Sequence, residues 1–129
     1  MPRRTDLLSV VVACDDVGLR ERVVAALGRA GGIDVVAAID TVGMTPSASR
    51  LRPDVVVLVS PRPRHLDLGR ISTLTREGSK RPSVVVLLAD EPDAVGERAR
   101  AAGAALVAPV PAGDAGDLVD ELVRLRGPR

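Results

Sequence analysis

No phenylalanine, tyrosine or tryptophan occurs anywhere in the 129 residues, and there is one cysteine and one histidine. Without aromatic rings the chain has no platforms for base stacking, so binding of single-stranded nucleic acid is not expected. A lone Cys14 excludes an intrachain disulfide and fits a reducing, cytoplasmic setting. A lone His65 without a cysteine partner gives no support to a zinc site or to Cys–His or Ser–His catalysis. Lysine is also scarce: arginine outnumbers it 17 to 1, which reads as GC-rich coding rather than a binding code. The net charge is only +1, with both signs interspersed and no long basic face. Direct contact with duplex DNA is therefore not expected.

Two motif classes are missing as well. No G-x-G-x-x-G follows the first apolar run, and no Walker-type Gly-Lys-Ser/Thr loop occurs, so a nucleotide site has no support. The basic start Met1–Asp6 precedes an apolar run that stops at Cys14-Asp15-Asp16, too short for a signal sequence or a membrane span. The expectation is a soluble cytoplasmic protein with no membrane partner.

What is present is aliphatic. Hydrophobic residues make up 46% of the chain, so the core must be built from Val, Leu, Ile and Ala. These side chains suit parallel strands flanked by helices. Short apolar runs at 7–13, 33–39, 54–60, 83–89 and 104–108 read as five strands, the third apolar throughout from Val55 to Val59. Between them apolar residues recur at helical spacing: Leu19, Val23, Ala26 and Leu27; Met44, Ala48 and Leu51; Leu68, Ile71 and Leu74; Val95, Ala99 and Ala102; Leu118, Leu122 and Leu125.

Punctuation agrees with the periodicity. Asp15 or Asp16 can cap the first helix, and Gly31-Gly32 can end it in a left-handed turn. Pro46 requires the second helix to begin near Thr45 or Pro46, where a missing N–H costs nothing. The third helix should end by Gly78. Pro92 opens the fourth, Gly103 closes it, and Asp114 caps the fifth. Five strands alternating with five helices predict an α/β fold, a parallel sheet covered on both faces, in one domain spanning 7–126. Residues 1–6 read as a tail, and 127–129 as a tail or the start of a linker. Ligands of such sheets sit beyond the carboxyl ends of the strands. Those ends are Cys14-Asp15-Asp16, Val59-Ser60, Leu88-Ala89 and Pro109-Val110-Pro111.

The order and spacing of several short motifs resemble the receiver domain of bacterial response regulators. They are Asp15-Asp16 after the first strand, Arg52-Pro53-Asp54-Val55-Val56-Val57-Leu58 along the third, and Pro63 beyond it. Ala101-Ala102-Gly103-Ala104 before the fifth strand and Pro111 after it complete the set. The resemblance covers Leu7 to Leu125 and implies the flavodoxin-like, CheY-like (βα)5 architecture with strand order 2-1-3-4-5.

In that family an acidic pair binds magnesium, an aspartate ending the third strand accepts a phosphoryl group, and a Ser/Thr and a Lys contact its oxygens. The acidic pair matches Asp15 and Asp16. The acceptor position falls on Val59, the hydroxyl position on Leu88 and the lysine position on Val110. The aromatic residue whose rotamer accompanies activation falls on Val107. Phosphoryl transfer rests on positioning and charge stabilisation, and these replacements remove both. Ser60 should point to the face opposite Val59, and Asp67 lies in the next helix, so neither replaces the acceptor.

With its third ligand gone, the Asp15–Asp16 pair reads as a helix cap and a vestige, with at most a weak claim on a divalent cation. Desolvation and like-charge repulsion should raise the pKa of its more buried member. Cys14 reads as a small residue at a strand end, and Arg62, Arg64 and His65 as solvated loop residues. The resemblance also implies a cis Val110–Pro111 peptide. Because the replacements are apolar, the old pocket is expected to be closed and packed.

The implied function is a non-enzymatic, phosphorylation-independent pseudo-receiver without a cofactor. It would act as an interaction module that pairs with a protein partner or with a second copy through helix surfaces. The resemblance places the end of the chain where an output domain would begin. That domain would be a helix-turn-helix transcription factor or a pilus-assembly ATPase of the CpaE/TadZ type. The alternative is an atypical receiver that senses a small molecule through Asp15, Asp16, Asp90 and Arg62.

Overall fold

In the computed structural model, which describes residues 7–62, 66–76, 82–89, 93–113 and 115–126, five strands and five helices alternate along the chain. The strands are β1 (Leu8–Ala13), β2 (Ile33–Ile39), β3 (Val55–Ser60), β4 (Ser83–Leu88) and β5 (Leu106–Pro109). The helices are α1 (Val17–Ala30), α2 (Met44–Leu51), α3 (Leu68–Arg76), α4 (Asp93–Ala102) and α5 (Gly116–Arg126). The sheet is parallel throughout with the order β2-β1-β3-β4-β5. β3 occupies the middle, which is why all six of its residues, Val55 to Ser60, are buried.

The two-residue period of the strands divides the core into two layers. Val10, Val12, Val55, Val57, Val59, Val85 and Leu87 face α1 and α5, where they meet Leu19, Val23, Leu27 and Leu122. Val11, Ala13, Val56, Leu58, Val84, Val86 and Leu88 face the other side, against Met44, Ala48, Ile71, Leu74 and Ala99. Each fully buried Val or Leu contributes roughly 1.5–3 kcal/mol. Branched aliphatics on both faces do what aromatics do elsewhere.

Local signals account for the element ends. Asp16 is the N-cap of α1 and accepts from the Leu19 N–H at 2.9 Å. Gly31 and Gly32 then take φ of 80° and 77°, the left-handed region that a side chain disfavours. α2 starts at Met44, one residue before the expected onset, so Pro46 falls within its first turn, where its absent N–H has no partner to lose. β5 begins at Leu106 rather than Ala104. The Ala104 N–H donates to Ala99 O and the Ala105 N–H to Val84 O, so these residues close α4 and lead into the strand. The expected roles of Pro63, Arg64, His65, Gly78, Asp90, Pro92 and Asp114, and of both tails, lie outside the described residues.

The expected cis Val110–Pro111 peptide does not form. No cis peptide bond occurs among the described residues, so Val110–Pro111 is trans. The Val110 N–H donates to Leu88 O at 3.1 Å, carrying the β4–β5 pairing one residue past β5 and leaving the chain extended into Pro111. Trans is also the intrinsically favoured isomer, by about 0.5–1 kcal/mol. The match of Pro111 to the family's proline is weaker for it, although Val110 keeps its place directly after the fifth strand.

Candidate functional site at the strand ends

The carboxyl ends of β1 and β3 open into a cleft of about 580 Å³. Asp15 and Asp16 form one wall, Thr41 and Val42 continue it, Leu58, Val59 and Ser60 line it from β3, and Pro61, Arg62, Leu66, Asp67 and Arg70 complete the rim. A closed and packed pocket is therefore not what forms. Val59 is 1% exposed and packs into the α1/α5 layer, so its methyl groups do not fill the space between the acidic pair and α3.

The acidic pair is held by the backbone turns around it. Asp16 faces back to cap α1. Asp15 reaches across to the end of β2, where its Oδ1 accepts from the Thr41 N–H at 2.9 Å and from the Thr41 hydroxyl. These bonds, the hydroxyl's first, hold the Asp15 carboxyl below its usual range, with the positive charges of Arg70 and Arg20 acting the same way. The expected upward shift is thus reversed. Asp15 is exposed, so desolvation is small, and hydrogen bonds to its charged form outweigh it.

Next to the pair, Cys14 is fully buried, and burial pushes its thiol pKa up. The Arg20 guanidinium donates to the Cys14 carbonyl at 3.0 Å, fastening α1 to the end of β1. On the opposite rim, Asp67 accepts from the Arg70 N–H at 3.1 Å and from its Nε at 2.9 Å, so the first turn of α3 carries its own ion pair.

The other positions read from the sequence do not converge on this cleft. Leu88 is 4% exposed and belongs to the α2/α3/α4 layer. Val107 packs partly buried against that same layer, where Val107 Cγ1 lies 3.5 Å from where a Cβ on Gly96 would stand. Val110 lines a second groove of about 340 Å³, with Leu19, Arg22, Ala25, Arg29, Ala89 and Pro111. Among the described residues no group of three or more His, Cys, Asp or Glu could hold a metal ion. Thr41 and Arg70 were not read as site residues. Thr41 lies two residues past the end of β2 and carries no signal of its own in the sequence, and Arg70 sits three residues after Asp67.

The strand order, with β2 at the sheet edge beside β1, and a cleft at the β1/β3 ends define the topology. The chain has the receiver fold. No family model and no curated protein matches it by sequence. Among solved structures it is similar to the receiver domain of the response regulator NarL from Mycobacterium tuberculosis, with 23% identity and a TM-score of 0.79, over 95% of this chain and 99% of that one. A response regulator protein from Burkholderia multivorans is 27% identical with a TM-score of 0.70, covering 95% of this chain and 98% of its own. A pilus assembly-related protein from Burkholderia pseudomallei is 20% identical with a TM-score of 0.73, over 98% of this chain and 94% of that one. These likenesses extend across the whole receiver fold rather than one motif. No helix among the described residues is long and apolar enough to cross a membrane.

Proposed function

We propose that this chain is a pseudo-receiver, an interaction module that keeps the receiver scaffold and has no phosphoryl chemistry. The observation that carries the reading is Val59. It stands at the end of the central strand, 1% exposed, with its side chain committed to the core. Leu88 is equally committed on the other layer, and Val110 supplies no charge at the mouth of the sheet. A receiver that switches needs a carboxylate nucleophile and cations around the transferred group. Incubation with acetyl phosphate and magnesium should leave the mass of the protein unchanged, and beryllofluoride should leave its NMR spectrum unchanged. A stoichiometric phosphoryl adduct overturns the reading.

For the partner we favour a second copy of the chain, paired through α1 and α5, which lie side by side on one face. α1 exposes Arg22 and Arg29 beside the small residues Ala25 and Gly28, with one acid, Glu21, and α5 exposes Asp117, Asp120 and Glu121, the last paired within the helix to Arg124. A two-fold axis that sets α1 against the partner's α5 brings the basic helix to the acidic one twice, and Val17 and Val123, 54% and 42% exposed, add apolar area. Light scattering over a concentration series should show a dimer that Arg22→Glu together with Arg29→Glu dissociates. A monomer at every concentration removes self-pairing and leaves a heterologous partner.

A role as the receiver unit of a pilus-assembly protein is a second reading, supported by the pilus assembly-related neighbour. The coding sequence downstream of Arg129 separates it from a transcription regulator.

A further inference from the structure

We infer that the cleft at the ends of β1 and β3 binds a small zwitterion of the amino-acid class, its amine against Asp15 and Asp16 and its acid group toward Arg62, Arg70 and the Ser60 hydroxyl. The inference goes beyond the pseudo-receiver reading and does not depend on self-pairing.

Ser60 is the observation that points to a ligand. The residue is 7% exposed and lines the cleft, and its hydroxyl has no hydrogen-bond partner among the described residues. A buried hydroxyl without a partner is costly to keep, and native proteins rarely leave one unless a ligand or water answers it. Its neighbour Leu88, paired with it across β3 and β4, is apolar and offers no bond.

The walls then specify what kind of ligand answers. Asp15 uses Oδ1 for Thr41 and Asp16 uses Oδ1 for the α1 cap, which leaves the second oxygen of each carboxylate to accept from an ammonium group. The depressed pKa of Asp15 keeps that wall charged. Across the cleft Arg62 is exposed and Arg70 gives only its Nε to Asp67, so guanidinium N–H groups remain for an acid group. Leu58 and Val59 at the floor and Leu66 at the rim accept a carbon skeleton.

Charge balance decides between ligand classes. Three carboxylates against two guanidinium groups disfavour a polyanion such as a nucleotide. Asp67 is engaged by Arg70, and among the described residues no three carboxylates are grouped to hold a metal, a poor cage for a hard cation, which takes six or more oxygens. A ligand carrying one charge of each sign meets both walls. The cleft of about 580 Å³ is within the usual size of small-molecule sites.

The test is an amide-detected NMR titration of the whole chain with pooled free L-amino acids at millimolar concentration. N-acetyl amino acids, amino-acid methyl esters, magnesium chloride and sodium phosphate serve as separate arms. Saturable shifts at Thr41, Ser60 and Arg70 with at least one free amino acid, absent with its N-acetyl and ester forms, are expected. Arg62→Ala is on the surface and should leave folding unchanged. It and Ser60→Ala should each weaken that binding by about tenfold or more, the scale of one lost charge-assisted hydrogen bond. The inference is overturned if no amino acid gives saturable shifts or if the blocked forms bind equally well. It is equally overturned if only magnesium or phosphate moves these amides, or if Arg62→Ala leaves the affinity unchanged.

Discussion

Asp54 and Ser9 grip each other at both ends of their backbone and side chains. Asp54 Oδ2 accepts from the Ser9 N–H at 2.9 Å and from the Ser9 hydroxyl at 3.2 Å, while the Asp54 N–H points back at the Ser9 carbonyl and hydroxyl oxygens, each at 2.9 Å. This locks β1 to β3 at the amino end of the sheet, opposite the cleft, and gives the Arg52-Pro53-Asp54 motif a physical purpose. Asp54→Ala should destabilise the fold by about 1–3 kcal/mol, the cost of leaving strand-end donors unpaired. Urea denaturation measures it, and a double-mutant cycle with Ser9→Ala should show strong coupling. Additive losses would mean that the pair does not act as a unit.

Asp15 and Thr41 tie the β1–α1 turn to the end of β2, and the sign of the pH effect follows from the depressed Asp15 carboxyl. A group whose pKa is lower in the folded state contributes stability above its unfolded value, here the ordinary 3.8, and that contribution is lost as pH falls through the folded value. Thr41→Val should move the Asp15 pKa upward in a carbon-detected NMR titration. Its loss of stability at neutral pH should shrink as the solution is acidified below the folded value.

Restoring the absent carboxylate should not restore chemistry. Val59→Asp puts a charge where the side chain is 1% exposed and surrounded by Val, Leu and Ala, so a loss of about 2–4 kcal/mol is expected, partly relieved by protonation. Acetyl phosphate should still give no adduct, because Leu88 and Val110 offer neither hydrogen bond nor charge. Phosphorylation of this single variant would show that those two positions matter less than argued.

Cys14 is buried and its thiol pKa is raised, so little thiolate is available. A thiol reagent such as Ellman's should react slowly with the native protein and rapidly in urea. The native rate then reports opening of the β1 end. Fast native labelling would contradict the packing around β1.

How far the residues alone led differs between fold and site. The uniformly apolar Val55–Val59 announced a strand buried on both faces, and Gly31-Gly32 and Asp16 announced the ends of α1, since these depend on hydrophobic period and local backbone preference. Thr41 could not be recognised, because its bond to Asp15 joins turns 26 residues apart in sequence. The upward shift expected for one member of the acidic pair is reversed at Asp15 for the same reason: burial and partners, not residue type, set a pKa. The open cleft was also illegible, since apolar replacements predict a filled pocket only if their side chains occupy it, and Val59 reaches only the cleft's floor while packing into the α1/α5 layer.

The pattern of aliphatic runs, helical spacing and turn residues by itself determined five βα units, their parallel arrangement and the apolar character of positions 59, 88, 107 and 110. Tertiary structure decided which of these meet. It sent Val59 and Leu88 to opposite layers, set Val110 in a separate groove, and brought Asp15, Asp16, Ser60, Arg62 and Arg70 around one cleft. Strand alternation and loop closure act between residues distant in the chain, and only the folded sheet brings them together.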